Sequence, residues 1–205
     1  MATLTFPLFP LGTVLFPDGV LPLQIFEVRY LDMISRCIAN DTPFGVVLLT
    51  QGSEVRSPQV QESFLLSGTL ASVQESTASA PGLLQILCRG NARFRVIASE
   101  RLPNGLWMAD TELVDDDKQV RIPSELQGAA DALDKVLCSL HDVPEQRWPV
   151  LPPFRLDDCG WVANRWCDLL PLPNHQKHSM LMLDNPLIRL ELMHDVLDEH
   201  GLITS

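Results

Sequence analysis

Residues 6–30 read FPLFPLGTVLFPDGVLPLQIFEVRY, an apolar run broken by prolines at positions 7, 10, 17 and 22. Proline lacks a backbone donor, so it interrupts helices and is confined in sheets to edges, strand ends and bulges. The spacing therefore excludes one unbroken helix, membrane-spanning or otherwise, and predicts short strands joined by turns. TLTF, TVLF and VLPLQIF have strand composition, and Pro17-Asp18-Gly19 is a turn in which Gly19 can take positive φ. No Lys or Arg precedes Arg29, and Pro7 and Pro10 fall where a secretory signal would keep its apolar helix. The five cysteines form no C-x-x-C pair. A reduced, cytoplasmic protein without a membrane anchor is the expectation.

Beyond Phe26 the period changes. Tyr30, Met33, Ile34, Cys37 and Ile38 fall on one stripe of a helix from about 27 to 39, with the Glu27 charge at its start and Asn40-Asp41 before Pro43 at its close. From Pro43 to about residue 115 the strand pattern returns in FGVVLLT, SFLLSGTLASVQES, LLQILCRGNARFRVIASER and LWMADTELV, which predicts a largely antiparallel sheet or small barrel. In RGNARFRV, Arg89, Asn91, Arg93 and Arg95 alternate with Gly90, Ala92, Phe94 and Val96, predicting one polar, partly cationic face. After about residue 120 the pattern is helical. Ser124 and Gln127 match a capping box ahead of Leu126, Ala130, Leu133, Leu137 and Leu140, and three more helices follow WPVLPPF, Asn174 and Asp184-Asn185-Pro186. The expected architecture is α+β, a β-rich domain over 1–118 followed by a helical domain over 119–205.

The formal charge of −11 is spread along the chain: residues 1–120 carry 8 Lys and Arg against 13 Asp and Glu, and residues 121–205 carry 7 against 13. Affinity for phosphate backbones comes largely from Lys and Arg, so nucleic acid is an unfavoured partner. No G-x-x-x-x-G-K-[ST] loop is present to cradle nucleotide phosphates, and no G-x-S-x-G elbow to present a nucleophile. His141 is followed by Asp142, but adjacent residues on a helix do not face each other. Cys159, Cys167, His175 and His178 come nearest to a metal set, yet they lack the tight pairing of structural zinc ligands, and the cysteines fit better as packed apolar side chains. No catalytic, cofactor-binding or metal-binding residue is assigned.

In order and spacing, the opening run, PFGVVLL, GTLASV and RGNARFRV resemble the N-terminal, substrate-binding domain of Lon proteases, most specifically through Phe16-Pro17, Leu21-Pro22-Leu23 and Ile25-Phe26-Glu27-Val28-Arg29-Tyr30. The resemblance implies a PUA-like pseudo-barrel of antiparallel strands followed by a helical bundle, and a role in engaging protein substrates. It does not bring proteolysis with it, because the ATPase and Ser-Lys peptidase domains of those proteases have no counterpart among these 205 residues. The leading expectation is a non-catalytic module that binds polypeptide through an apolar groove including Phe16, Phe26 or Tyr30. Arg29, beside Glu27 at a strand-to-helix junction, needs a partner if buried and is a further candidate for recognition. The alternatives are RNA binding through a strip formed by Arg89, Arg93 and Arg95, and a small-molecule site between the two domains. Oligomeric state is left open.

Overall fold

The computed structural model describes residues 3–53, 62–140 and 148–203; His141 and Asp142 lie outside them. The chain divides into two compact units, Met1–Asp116 and Asp117–Ser205. In the first, strands β1 (Leu4–Leu11), β2 (Val20–Ile25), β3 (Phe44–Gln51), β4 (Ser63–Ala80), β5 (Leu83–Arg101) and β6 (Trp107–Leu113) form one mixed sheet, with helix α1 (Val28–Asn40) between β2 and β3. The order is β2-β5-β4-β3-β1-β6, and β6 also pairs with β5, so five strands close on themselves and β2 hangs from the N-terminal half of β5 as an edge. One ladder, β1 with β3, is parallel; the others are antiparallel.

The register explains the prolines. β1 pairs with β6 only through Leu4–Leu8 and with β3 only through Leu8–Leu11. Pro7 and Pro10 thus each lie in a half-strand with one ladder partner, leaving a side on which the missing N–H is not needed. Pro22 lies on β2, which pairs with β5 alone. The same strand alternates sides: Phe6 and Leu8 join Val47, Leu70, Phe94, Val96 and Ala109 in a core to which all five closed strands contribute, the barrel interior. Phe9 and Leu11 face the other way, joining Leu21, Ile25, Phe44, Val46, Ile86 and Cys88 beneath Tyr30, Met33, Ile34 and Cys37 of α1. Both faces of β1 are buried, which is why its sequence is continuously apolar instead of alternating.

Three local expectations are corrected. TVLF forms no strand, and the strand expected at TLTF runs on through Pro7 and Pro10 to Leu11 as the single strand β1. In the turn closed by the Gly19 N–H donating to the Phe16 carbonyl at 2.9 Å, the left-handed position (φ 61°) belongs to Asp18, not Gly19. Asp tolerates that region better than most side chains. The Ser124–Gln127 capping box does not form: Ser124 opens a 3-10 turn, Ser124–Leu126, and the helix begins at Gln127. The C-terminal end of α1 is as read, with Asp41 left-handed at φ 50° and the Thr42 N–H donating to Cys37.

In the second unit, α2 (Gln127–Ser139), α3 (Cys159–Leu169), α4 (Asn174–Leu181) and α5 (Pro186–Glu199) match the four expected helices. α3 is the centre, its Trp161, Val162, Ala163, Trp166 and Cys167 all buried, and Trp166 Nε1 donates to the Ala129 carbonyl of α2 at 2.9 Å. Arg189 of α5, only 1% exposed, donates to Asp117, to Asn164 and to the Met180 and Leu183 carbonyls. A buried guanidinium held by that many acceptors fixes α5 against the segments that supply them.

Two glycines are required for different reasons. A Cβ on Gly90 would lie 2.0 Å from the Phe16 carbonyl oxygen, whereas Gly82 has nothing within 4 Å but sits at φ 76°. Gly90→Ala is expected to cost about 3 kcal/mol, because backbone must move, and Gly82→Ala only about 1 kcal/mol, the left-handed penalty alone. Urea unfolding of the two variants checks the ranking.

Candidate functional site

The first unit carries a groove of about 240 Å³ lined by Phe9, Leu11, Pro22, Leu23, Gln24, Ile25, Phe26, Glu27 and Tyr30. Its walls come from β1, from β2 and from the junction at which β2 passes into α1. The volume is below the roughly 300–1,000 Å³ of small-molecule sites and suits one large side chain. Phe26 is 53% exposed at the rim, and Val28 beside it is 72% exposed. Exposed apolar groups next to an apolar groove mark a surface that gains by being covered.

The floor is held from behind by a buried ion-pair network. Arg29 is 5% exposed and uses all three guanidinium nitrogens: Nε donates to Glu27 at 3.0 Å, Nη1 to the Gly105 carbonyl at 2.7 Å and Nη2 to Glu62 at 3.1 Å. Glu62 also accepts from Trp107 Nε1 at 2.9 Å and lies 3.5 Å from Arg101. Burial alone would raise the Glu62 carboxyl, but hydrogen bonds from Arg29 and Trp107 and the two guanidinium charges outweigh it and hold the group below its ordinary 4.5. The Arg29 guanidinium also stacks 4.4 Å over the Tyr30 ring, which in turn stacks on Phe9 at 3.9 Å. Glu62, Arg29, Tyr30 and Phe9 therefore form one packed column ending in the groove. Burial pushes the Tyr30 hydroxyl up, so it stays protonated at neutral pH.

The candidates read from sequence separate into three groups. Phe26 and Tyr30 line the groove, and Arg29 supports it from within. Phe16 is fully buried and cannot meet a partner, since its ring is part of the core. The arginine strip does not form. Thr69 pairs with Arg93 and Ala71 with Gly90, so two β4 steps face three on β5, and this bulge turns Arg89 and Arg93 to opposite faces of the sheet. Arg93 is buried and donates to the Asp115 carbonyl, Arg89 pairs with Asp18 at 3.0 Å, and of the three only Arg95 is exposed. Glu27, expected to support the start of α1, makes no side-chain cap and is turned to Arg29.

Phe9, Leu11, Pro22, Leu23, Gln24, Ile25 and Glu62 escaped the sequence reading as site residues. For β2 a signal existed: an edge strand with apolar residues at both parities, Leu21, Leu23 and Ile25 against Val20 and Pro22, presents some of them to solvent. The residues that come nearest to a metal set in the sequence do not all share one environment. Cys159 and Cys167 are buried in α3, with the Cys159 thiol directed at the Arg121 carbonyl, while His175 is exposed on α4, and no group of three or more metal-ligating side chains occurs among the described residues. Burial pushes the Cys88 and Cys167 thiols up to about 12 and Cys159 to about 11, so all three are protonated and inert at neutral pH. No helix among the described residues is long and apolar enough to cross a membrane.

A closed mixed barrel with one packed helix, followed by a four-helix unit, defines the class of fold. The chain belongs to the ATP-dependent protease La (LON) substrate-binding domain family, whose sequence profile it matches over residues 5–199. The crystal structure of a Lon N-terminal domain protein from Xanthomonas campestris superposes with a TM-score of 0.71 at 29% identity, covering 93% of this chain and 96% of that one. The N-terminal domain of a Mycobacterium avium complex Lon protease shares the fold at 16% identity, with a TM-score of 0.60 over 96% of this chain and 99% of that one. Among curated proteins, Lon protease 1 of Bdellovibrio bacteriovorus is 28% identical over 147 residues, 71% of this chain, and the Lon protease of Syntrophus aciditrophicus 29% identical over 93 residues, 44% of this chain. The matched regions span 17% and 12% of those proteases.

If the network positions the groove, removing one partner should be costly. Glu62→Gln leaves Arg29 short of a charge partner and is expected to destabilise the protein by about 3 kcal/mol at pH 7. The pH dependence has a definite sign. A carboxyl depressed in the folded state contributes stability that is present above about 4.5 and lost as pH falls through its folded value. Urea unfolding between pH 3 and 7 should therefore show a shallower acid limb in Glu62→Gln than in the parent.

Proposed function

We propose that this protein is a non-catalytic recognition module that captures apolar side chains of unfolded or extended polypeptide in the groove between β1, β2 and the start of α1. The observation that carries the reading is the exposed Phe26 at the rim of a groove sized for one large side chain, in a chain of the Lon substrate-binding domain family. Phe9 and Tyr30 supply a rigid aromatic floor, Pro22, Leu23 and Ile25 an apolar wall, and Gln24 a polar group able to meet the backbone of a bound segment. Buried cation–π and stacking contacts keep that floor in place without a ligand, which lowers the ordering cost of binding. Five free cysteines, one of them exposed, fit a reducing, cytoplasmic setting. A role as adaptor, delivering what it binds to another protein, is consistent with this chemistry. The RNA alternative gains nothing from the geometry, since Arg89 and Arg93 are engaged within the sheet.

Fluorescence anisotropy with a labelled, uncharged peptide of about a dozen residues containing one central phenylalanine tests this. The parent protein should bind it, Phe26→Ala should weaken it about tenfold, the share of one aromatic contact, and Arg95→Ala should leave it unchanged. Equal affinity in the Phe26 variant, or no binding by the parent at millimolar protein, would contradict the proposed site.

A further inference from the structure

The groove carries a charge as well as a shape. Of its nine lining residues Glu27 is the one with a carboxylate side chain, and that side chain keeps 17% of its surface exposed. Its ion-pair partner, Arg29, lies behind the floor with its side chain 4% exposed, and its charge is shared with Glu62, a second carboxylate at 3.1 Å. Arg29 and Arg101, the latter 3.5 Å from Glu62, match Glu27 and Glu62 in number, but neither guanidinium lines the groove, so the Glu27 carboxylate is the charged group that a bound segment meets first. The formal charge of −11, spread over the whole chain, adds a field of the same sign.

We propose that the groove selects segments in which the large apolar residue is flanked by lysine or arginine, with the Glu27 carboxylate as the selecting group. The inference rests on the groove being the polypeptide site, and it narrows the class of segment taken there. A cation one or two residues from the buried side chain reaches the rim while its aliphatic stem covers the exposed Phe26 and Val28, as long basic side chains do over apolar surface. An acidic flank meets the Glu27 charge at the same distance and is rejected, so that discrimination comes from repulsion as well as attraction.

The test is a set of three labelled peptides with the same central phenylalanine and flanks of lysine, glutamine or glutamate, titrated into the full chain at low and high salt. The glutamine peptide reports on the groove itself; the ratio between the charged pair reports on selection. Lysine flanks should bind about threefold to fivefold tighter than glutamine, and glutamate flanks weaker by a similar factor, the scale of one partly exposed charge pair. In Glu27→Gln, whose amide oxygen can still accept from Arg29, the lysine-to-glutamate ratio should fall severalfold. Glu112→Gln, which removes the same charge outside the groove, should leave that ratio near the parent value. Raising the salt to about 0.5 M should compress it as well. An undiminished ratio in Glu27→Gln, or equal loss in Glu112→Gln, overturns selection by Glu27 while leaving the groove standing. Absence of binding by the glutamine peptide overturns the groove itself.

Discussion

The contact between Arg29 and Glu62 ties three separate stretches of chain to one point. Arg29 sits in the first turn of α1, Glu62 just before β4, and Gly105 and Trp107 at and beyond the turn into β6. Two buried opposite charges are costly to desolvate and stable only when every donor finds an acceptor. Here Arg29 has four oxygen partners, one of them at 3.5 Å, and Glu62 accepts from the Trp107 indole as well. The arrangement does little that an apolar cluster could not do for stability. What it adds is direction, because a guanidinium fixed on all sides sets the plane of Tyr30, and Tyr30 that of Phe9.

That direction separates a binding surface from a core. The same helix face buries Met33, Ile34 and Cys37 completely against the sheet, yet one turn earlier the aromatic stack opens on a groove. The difference lies in β2, which pairs with β5 alone and ends at the α1 junction. A closed barrel has no spare edge; this one gains an edge by adding a sixth strand, and Pro22 stands on that strand where it limits indiscriminate pairing with other sheets. The second unit has buried guanidiniums of its own, among them Arg189, held by a carboxylate, an amide and two carbonyls.

Much of the fold was legible. Pro17-Asp18-Gly19 marked a turn, the stripe from Tyr30 to Ile38 demanded α1, and Asn185-Pro186 with Gly201 bounded α5, because each signal is local and chemically specific; Pro7 and Pro10, by contrast, lie within one strand because each half of β1 has a single ladder partner. What escaped was set by register and by partners distant in sequence. A bulge at residues 91–92 reverses the facing of the side chains that follow it, up to a second bulge at Val96–Ala98, and nothing in RGNARFRV announces it; the cationic strip therefore looked continuous and is not. Arg29 was recognisable as needing a partner, but Glu62 is 33 residues away and precedes a strand without any marker of its own. Phe16 and Phe26 each follow a branched apolar residue in the same run, and only the sheet decides that one is core and the other rim.

The most direct test of the central claim is a two-dimensional NMR titration of the full chain with the uncharged phenylalanine peptide, following backbone amides and aromatic side chains. The account predicts shifts concentrated at Phe9, Leu23, Gln24, Phe26, Glu27 and Tyr30, with Arg95 and the α3 core unmoved. Shifts centred on Arg95, or on the helical unit with the groove silent, would contradict it.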